Sequence, residues 1–338
     1  MNDLSNNSII LQFPFSDNPD LNSFATDQDL HLVNLENKKE GSAEINVKIL
    51  TSAIKMAKEK DARMIITTNA SKDRFGVAIR NSAKDNFTLL APQQIAILVA
   101  DSIQENEKSK KTLVKSVLMP ELIEVFAIKK GYKIINALPG KENLLEEWEN
   151  HKEEMPSMAI DEFNTIILKN NSVDENMKEV ISLLLKKEKE LRDENKDFLD
   201  RLIEIYCSFG FNKQKTFSVD ILDNTRKRHY LSLIKTLRSK PPKHFADFKV
   251  KKVVDFEKQF SKNLITGRKT DKHLPSANIL SFSLDKGGKI MIMSTEEKLY
   301  FHISMNTKML RKEQFPEENK IANENMIKIM SSVGSLKF

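Results

Sequence analysis

The stretch that most constrains the fold covers residues 64–79, where two short apolar segments enclose a polar loop. The segments Met64–Thr68 and Phe75–Ile79 are rich in β-forming residues, and each has the length of a buried strand. A segment with apolar residues at helical spacing, Val47–Lys60, precedes them. Helix, strand and polar loop in this order predict an α/β sheet, which binds ligands at the carboxyl ends of its strands. Residues 68–74, called the binding loop below, are therefore a candidate site.

The next part of the chain predicts a β-α-β unit. Strand patterns cover Thr112–Leu118 and Tyr132–Ala137, with a helical pattern over 120–130 and Gly131 as its cap. Two strands joined through a helix pair in parallel with a right-handed crossover, so this region predicts a parallel sheet. A further strand is predicted over 163–168.

Beyond residue 174 the pattern is first helical and then mixed. One long helical region is predicted over 174–209. The remainder predicts a small α+β domain, with strands over 215–222, 248–254, 277–285, 289–295 and 298–305 and helices over 226–238 and 317–331.

Length and composition predict a soluble chain of two or three domains. The 338 residues are 40% hydrophobic and 30% charged, which argues against disorder. The single cysteine, Cys207, permits no internal disulfide and favours a reducing compartment. No apolar run approaches the roughly 20 residues of a membrane span, and residues 1–8 lack the basic start of a signal peptide. We therefore expect a cytoplasmic location and no membrane partner.

The charge is distributed unevenly along the chain. Residues 1–205 hold 28 Lys and Arg against 35 Asp and Glu, a balance of −7. Residues 206–338 hold 26 against 13, a balance of +13. A basic C-terminal region suits a phosphorylated or polyanionic partner. A lysine-rich solvated surface explains the same balance equally well.

The binding loop resembles the metal loop of the α-D-phosphohexomutases, the family of phosphoglucomutase and phosphomannomutase. That loop reads Asp-x-Asp-x-Asp-Arg, and the matching positions here are Asn69, Ser71, Asp73 and Arg74. The resemblance implies Mg²⁺ as the cofactor. Because Mg²⁺ is normally held by carboxylates and two of the three are replaced, we expect weak or absent Mg²⁺ binding. A simple hydrogen-bonded turn over 69–73 is the alternative interpretation.

Two further loops carry the resemblance in weaker form. Gly140 and Lys141 stand where the family has a sugar-selecting loop of the form Thr-x-Thr-Gly-Phe-Lys. Asp161 and Glu162 stand where it has a Glu-Glu-Ser-x-Gly loop that grips sugar hydroxyls. The resemblance implies that these residues bind the sugar and that Arg74 holds a phosphate. The alternatives are an acidic pair at a strand entry and, for Arg74, an ion pair with a neighbouring carboxylate.

The last match lies in the predicted α+β domain. Thr295 and Lys298 occupy positions of the family's phosphate-binding loop, Arg-Pro-Ser-Gly-Thr-Glu-Pro-Lys. The arginine, serine, glycine and prolines of that loop are replaced here. The resemblance implies a phosphate-binding role for both residues, and the alternative is a turn before the next strand.

Taken together, the matches cover most of residues 45–305 and predict an α/β fold class. Two mixed or parallel α/β units resemble domains 2 (in part) and 3 of the family, and a small α+β domain follows. The predicted segments are a partial second domain with the altered metal loop over 1–86, a third domain with a connecting helix over 87–209, a C-terminal domain over 210–305 and a helical extension over 306–338.

The family reaction is an intramolecular phosphotransfer on hexose phosphates that starts from an enzyme phosphoserine. The domain that carries this serine has no counterpart in the sequence, and two metal carboxylates are replaced. We therefore expect an inactive or weakly active relative of the carbohydrate-metabolism enzymes, with hexose phosphate as a weak ligand and no catalytic residue assigned. A separate chain carrying the phosphoserine domain is an open alternative.

The alternative function is a non-catalytic binding module whose basic C-terminal region contacts nucleic acid or a protein. Its basic segments are Arg226–His229, Lys235–Lys243 and Arg268–Lys272. These segments lack the interleaved aromatic residues on which bases stack, which disfavours nucleic acid as the partner.

Overall fold

The computed structural model describes most of the chain in two compact units. The first unit comprises Met1–Met119 with Ile123–Leu202, and the second comprises Pro120–Leu122 with Ile203–Phe338. Residues 1–8 of the predicted N-terminus and 335–338 of the predicted extension lie outside the described residues. The structure describes residues 9–14, 19–35, 45–81, 86–103, 111–154, 156–168, 172–272 and 276–334.

The first sheet of the first unit contains the predicted strand-loop-strand segment. Its strand order is β2-β1-β3-β4-β5, with β1 parallel to both neighbours and β4 antiparallel to β3 and β5. Helices α1 and α2 connect its parallel strands. The elements are β1 (Ile9–Pro14), α1 (Pro19–Asp27), β2 (Leu30–Leu35), α2 (Thr51–Glu59), β3 (Met64–Thr68), β4 (Phe75–Asn81) and β5 (Asn86–Leu89).

Strand β3 has the predicted bounds, and β4 ends two residues later than predicted. All five β3 side chains are buried, which is why this run shows no alternation of apolar and charged residues. Close packing also explains Gly76 in β4. An added Cβ atom there would lie 2.6 Å from Cγ2 of Ile45 and 2.7 Å from Cγ2 of Thr67.

The second sheet of the first unit is built on the predicted β-α-β unit. The elements are α3 (Pro92–Ser102), β6 (Lys111–Ser116), α4 (Glu121–Lys129), β7 (Tyr132–Ala137), α5 (Lys141–Asn150), β8 (Pro156–Ile160) and β9 (Ile166–Ile167). The strand order is β7-β6-β8-β9, with β6 parallel to β7 and β8, and β9 antiparallel to β8.

The strand predicted over 163–168 is wrong in its extent. The main strand is the unpredicted β8, and only Ile166–Ile167 of the predicted range pairs with it. Residues 161–165, called the acidic turn below, reverse the chain between them. Asn164 adopts a left-handed conformation there, with φ of 68°, which ends any extended strand.

The long helical region is divided into α6 (Val173–Asp193) and α7 (Phe198–Phe209). Ser172 caps α6 through a reciprocal hydrogen bond with Glu175. Asn195, with φ of 57°, reverses the chain between the helices. Arg201 of α7 then donates two hydrogen bonds of 2.8 Å to the buried carboxylate of Asp101 at the end of α3.

The second unit is an antiparallel sheet with two long helices. Its strand order is β10-β17-β16-β15-β12-β13-β14, and β11 pairs with β12. The short strands β11, β13 and β14 were not predicted, because their polar residues show no alternation. The elements are β10 (Phe211–Asp220), α8 (Asn224–Ser239), β11 (His244–Phe245), β12 (Phe248–Asp255), β13 (Phe260–Asn263), β14 (Lys269–Asp271), β15 (Ile279–Leu284), β16 (Gly288–Ser294), β17 (Lys298–Thr307) and α9 (Phe315–Gly334).

The predicted fold class is confirmed: the chain combines parallel and mixed α/β sheets with a C-terminal α+β part. Across the part of the chain that the structure describes, we find no helix with the length and apolar character needed to cross a lipid bilayer.

Candidate functional site

The binding loop and the acidic turn meet within the first unit through main-chain hydrogen bonds. The amide of Phe75 donates to the carbonyl of Asn164 at 3.0 Å, and the amide of Ile166 donates to the carbonyl of Asp73 at 3.2 Å. Arg74 forms an isolated β-bridge with Thr165. The loop after β3 is therefore fixed beside the turn that follows β8, at the carboxyl ends of both strands.

Asn69 organises the binding loop. Its side-chain oxygen accepts hydrogen bonds from the amides of Asp73 at 3.1 Å and Arg74 at 3.0 Å. Its main-chain carbonyl accepts from the amide of Lys72 at 3.0 Å, and its own amide donates to the Arg74 carbonyl at 3.2 Å. Lys72 is left-handed, with φ of 56°. The segment is thus a hydrogen-bonded turn, and Asn69 forms most of the hydrogen bonds described above.

Both carboxylate oxygens of Asp73 are engaged. Oδ1 accepts from Nδ2 of Asn69 and Oδ2 from Nζ of Lys141, each at 2.8 Å. Burial alone would raise the pKa of Asp73, but the hydrogen bonds from Lys141 and Asn69 outweigh it and hold the pKa below its ordinary value. Asp73 is therefore an ionised carboxylate with a lysine as its counter-ion.

These residues do not fit a magnesium site. Mg²⁺ needs near-octahedral oxygen ligands, normally with carboxylates among them. Asp73 already has a donor on each oxygen, and the Asn69 oxygen accepts two amide protons. Ser71 is exposed. Within the described ranges, no group of three or more His, Cys, Asp and Glu side chains is placed to hold a metal ion.

The acidic turn carries two buried carboxyl groups. Oδ1 of Asp161 accepts from the amides of Phe163 and Thr165, both at 2.9 Å, while its Oδ2 has no hydrogen-bond partner among the described residues. Burial raises the pKa of Asp161 despite these hydrogen bonds. The turn thus keeps one carboxyl oxygen bound to the main chain and leaves the other unsatisfied.

Glu162 is buried like its neighbour Asp161. Burial and the adjacent Asp161 raise the pKa of Glu162 to about 8. Ser116 lies near enough to oppose that pKa shift, but no described donor reaches hydrogen-bond geometry with either Glu162 oxygen. At neutral pH the group is therefore mostly protonated and adds little negative charge to the site.

Arg74 provides positive charge between the two carboxyl groups and Asp73. Its guanidinium carbon lies 5.5 Å from the ring centroid of Phe163, a cation–π contact that fixes the side chain. The Arg74 charge lowers the pKa values of Asp73, Asp161 and Glu162 against the larger effect of burial.

Lys141 reaches the site from the first residue of α5. The helix begins after Gly140, whose φ of 104° favours glycine and whose position has no side-chain cap. Asn143 donates a hydrogen bond of 2.6 Å to the Pro139 carbonyl and holds this turn. The start of α5 thereby directs Lys141 to Asp73.

Thr295 and Lys298 lie in the second unit, whereas the other candidate residues lie in the first. They face each other across the turn between β16 and β17, where the Lys298 amide donates to Oγ1 of Thr295 at 3.0 Å. The Thr295 amide donates to the Lys298 carbonyl at 2.9 Å. Nζ of Lys298 is 3.9 Å from Oδ1 of Asp220. Their proposed phosphate-binding role stays a prediction.

Sequence reasoning missed the contribution of Phe163 and the partnership of Lys141 with Asp73. Phe163 directly follows the acidic pair in the sequence, and this position could have indicated that its ring belongs to the site. The ion pair joins a loop residue to the first residue of a helix 68 positions away, so the local sequence gives no signal for it. Below, the candidate site means Asn69, Asp73, Arg74, Lys141, Asp161, Glu162 and Phe163.

Comparison with known proteins confirms the predicted resemblance. No protein-family profile matches the chain. The phosphoglucomutase of Staphylococcus aureus (strain MSSA476) is 24% identical over 259 residues, which are 75% of this chain and 46% of that protein. The protein from strain USA300 is 23% identical over the same length. The chain therefore spans about half the length of the curated relatives it matches.

Solved structures show the same fold. A putative phosphomannomutase from Thermus thermophilus superposes with a TM-score of 0.60 at 11% identity, covering 96% of this chain and 61% of that one. A phosphoglucomutase/phosphomannomutase family protein from Burkholderia thailandensis gives 0.56 at 13% identity, covering 98% and 62%. The chain is thus related to the α-D-phosphohexomutases and has their fold.

Proposed function

We propose that this chain binds hexose phosphates weakly at the candidate site and does not itself catalyse phosphoryl transfer between sugar positions. The observation that carries the proposal is the pairing of Lys141 with Asp73 in place of a metal-ligand set, beside an arginine fixed on Phe163. Relatives named phosphoglucomutase supply the ligand class.

The charges of the site support anion binding. Arg74 and Lys141 are both partly exposed and contribute two positive charges near Asp73, whose pKa is held below its ordinary value. Protonation of Glu162 removes a negative charge that would repel a phosphate. Charge-assisted hydrogen bonds from arginine and lysine are the usual means of holding a phosphate monoester.

The affinity should nevertheless be low. The loop with Thr295 and Lys298 lacks the arginine of the family's loop, and a lysine does not reproduce a bidentate arginine clamp. We expect a dissociation constant on the order of millimolar, about 4 kcal/mol of binding free energy.

The donor set also supports the absence of catalysis. Phosphoryl transfer depends on positioned charges that stabilise the transferring group, and metal ions usually supply much of that stabilisation. The binding loop offers one carboxylate, and a lysine and an asparagine already occupy it. No catalytic residue is therefore assigned.

Binding is tested by titrating the full chain with glucose 1-phosphate and following the fluorescence of Trp148, the only tryptophan. The variant Arg74→Ala should weaken binding about tenfold, the typical effect of one charge-assisted hydrogen bond. Arg80→Ala is the matched control, because Arg80 is an arginine of the adjacent strand β4 that pairs with Asp61. Equal effects of both variants, or no saturable binding, would contradict the proposal.

Catalysis is tested separately in a coupled assay with glucose 1-phosphate, glucose 1,6-bisphosphate and Mg²⁺. We expect no turnover in the usual enzymic range of about 1–1000 per second. Turnover within that range by the purified chain would refute the non-catalytic part of the proposal while leaving the binding part intact.

A further inference from the structure

We propose that Lys141 is the fixed cation of the candidate site: its ammonium holds the position at Asp73 that a divalent ion would need, so that the site recognises a phosphate monoester without a divalent metal. This inference rests on the proposed hexose-phosphate binding, and it specifies how the same site does so.

The first step is the geometry around Asp73. Its carboxylate lies between two nitrogen donors at 2.8 Å, one the neutral amide of Asn69 and the other the ammonium of Lys141. A metal ion at this carboxylate would have to displace Lys141. The contact depends on the fold, since Lys141 reaches Asp73 from the first residue of helix α5.

The second step is the unused hydrogen-bonding capacity of Lys141. An ammonium has three N–H donors. Among the described residues, the structure gives Nζ of Lys141 one hydrogen-bond partner, Oδ2 of Asp73. About a third of the side chain is exposed. Two N–H donors of Lys141 are thus available to ligand oxygens. A bound metal ion would offer open coordination positions to the same oxygens.

The third step is the charge balance. Lys141 pairs with Asp73, and the partly exposed Arg74 adds a second positive charge near the carboxyls of Asp161 and Glu162. The carboxyl of Glu162 is buried and mostly protonated at neutral pH, as described above. Burial also raises the pKa of Asp161, which favours its neutral form. The two cations Lys141 and Arg74 are therefore available to a phosphate in the absence of any metal.

The inference is tested with two variants of the full chain, Lys141→Met and Lys141→Gln. The second keeps a hydrogen-bond donor but no charge. Lys72→Met is the matched control, because Lys72 is a lysine of the binding loop that pairs with Asp174 instead of Asp73. Thermal unfolding of each variant checks that it is folded.

In the first measurement, Mn²⁺ is titrated without any sugar phosphate, and paramagnetic broadening of the NMR signals of the binding loop is followed. Both Lys141 variants should bind Mn²⁺ at least about fivefold more tightly than the unmodified chain, since removal of the cation frees Asp73. Lys72→Met should behave like the unmodified chain. Unchanged Mn²⁺ affinity in both Lys141 variants would overturn the inference.

In the second measurement, glucose 1-phosphate is titrated with EDTA and again with millimolar Mg²⁺. The unmodified chain should bind equally in both, and both Lys141 variants should bind about tenfold more weakly in EDTA. Binding that requires Mg²⁺ would overturn the inference and leave the proposed function standing. Absence of binding in both conditions would overturn the proposed function, and the Mn²⁺ result would then decide the role of Lys141 alone.

Discussion

Nζ of Lys141 lies 2.8 Å from Oδ2 of Asp73, although 68 positions separate the two residues in the sequence. The contact joins the loop after β3 to the first residue of α5. A protein cation therefore lies against the one carboxylate of the binding loop. The chemistry predicted for the candidate site follows from this ion pair.

Asn69→Ala should destabilise the chain by roughly 1–3 kcal/mol. The substitution leaves the amides of Asp73 and Arg74 without their acceptor and removes a donor to the Asp73 carboxylate. Urea unfolding measures the change. Ser71→Ala, at an exposed position of the same loop, is the control and should stay within about 0.5 kcal/mol. Equal stability of both variants would show that the turn does not depend on Asn69.

Glu162 should make stability depend on pH. Its folded-state pKa of about 8 lies above the ordinary value of 4.5, so the folded chain keeps a proton that the unfolded chain loses between these values. The free energy of unfolding therefore falls as the pH rises from about 4.5 to about 8.

Glu162→Gln should reduce that fall by up to a few kcal/mol, because one pKa unit corresponds to about 1.4 kcal/mol. Urea unfolding of the unmodified chain and the variant at pH 5 and pH 8 measures the difference. Glu142→Gln, at an exposed position of α5, is the control and should leave the pH dependence unchanged. An identical pH dependence in the chain and in Glu162→Gln would contradict the buried position of this carboxyl group.

Arg201→Met should destabilise the first unit, by about 2 kcal/mol at pH 7. Burial would raise the pKa of Asp101, but hydrogen bonds from Arg201 outweigh it and lower the pKa to about 2. The stabilisation is present above the ordinary value of 3.8 and is lost as the pH falls towards 2. The difference from the unmodified chain should therefore shrink in acid.

Thermal or urea unfolding at pH 7 and pH 3 measures this effect. Lys196→Met is the control, since Lys196 forms an exposed ion pair with Glu194 and should change stability by less than about 0.5 kcal/mol. A larger loss in Lys196→Met than in Arg201→Met would be the contrary outcome.

Restoring carboxylates should restore Mg²⁺ binding only in part. Asn69→Asp with Ser71→Asp supplies two of the carboxylates expected in a metal loop, but Lys141 still neutralises Asp73. Adding Lys141→Met should increase the Mg²⁺ affinity by a further factor of about ten, which calorimetric titration would measure. If the double variant already binds as tightly as the triple variant, Lys141 does not compete with the metal.

The sequence predicted the parts of the fold that depend on local pattern. The bounds of β3 and β7 were predicted correctly, because each is a short apolar run between turn or helix signals. Strand β8 was missed, since its five residues, Pro156–Ile160, begin with a proline and follow a charged segment. The start of α5 at Lys141 was missed because Gly140 and Pro139 indicated only a turn.

The arrangement of the candidate site could not be predicted from the sequence, and Phe163 was not among the predicted residues. The sequence placed the loop with Asp73 and Arg74 directly after strand β3, as observed. It placed Glu162 before a strand over 163–168, whereas Glu162 follows the unpredicted strand β8. The ion pair of Asp73 with Lys141 and the burial of Glu162 depend on tertiary packing, which no local pattern encodes.

The central claim is tested most directly by NMR of the isotope-labelled full chain during titration with glucose 1-phosphate in EDTA. The account predicts saturable shifts in the millimolar range that cluster at the backbone amides of Arg74, Lys141 and Glu162. It also predicts that later addition of Mg²⁺ changes neither the affinity nor the set of shifted signals. Shifts that arise only after Mg²⁺ is added, or that leave Arg74 and Lys141 unaffected, would contradict it.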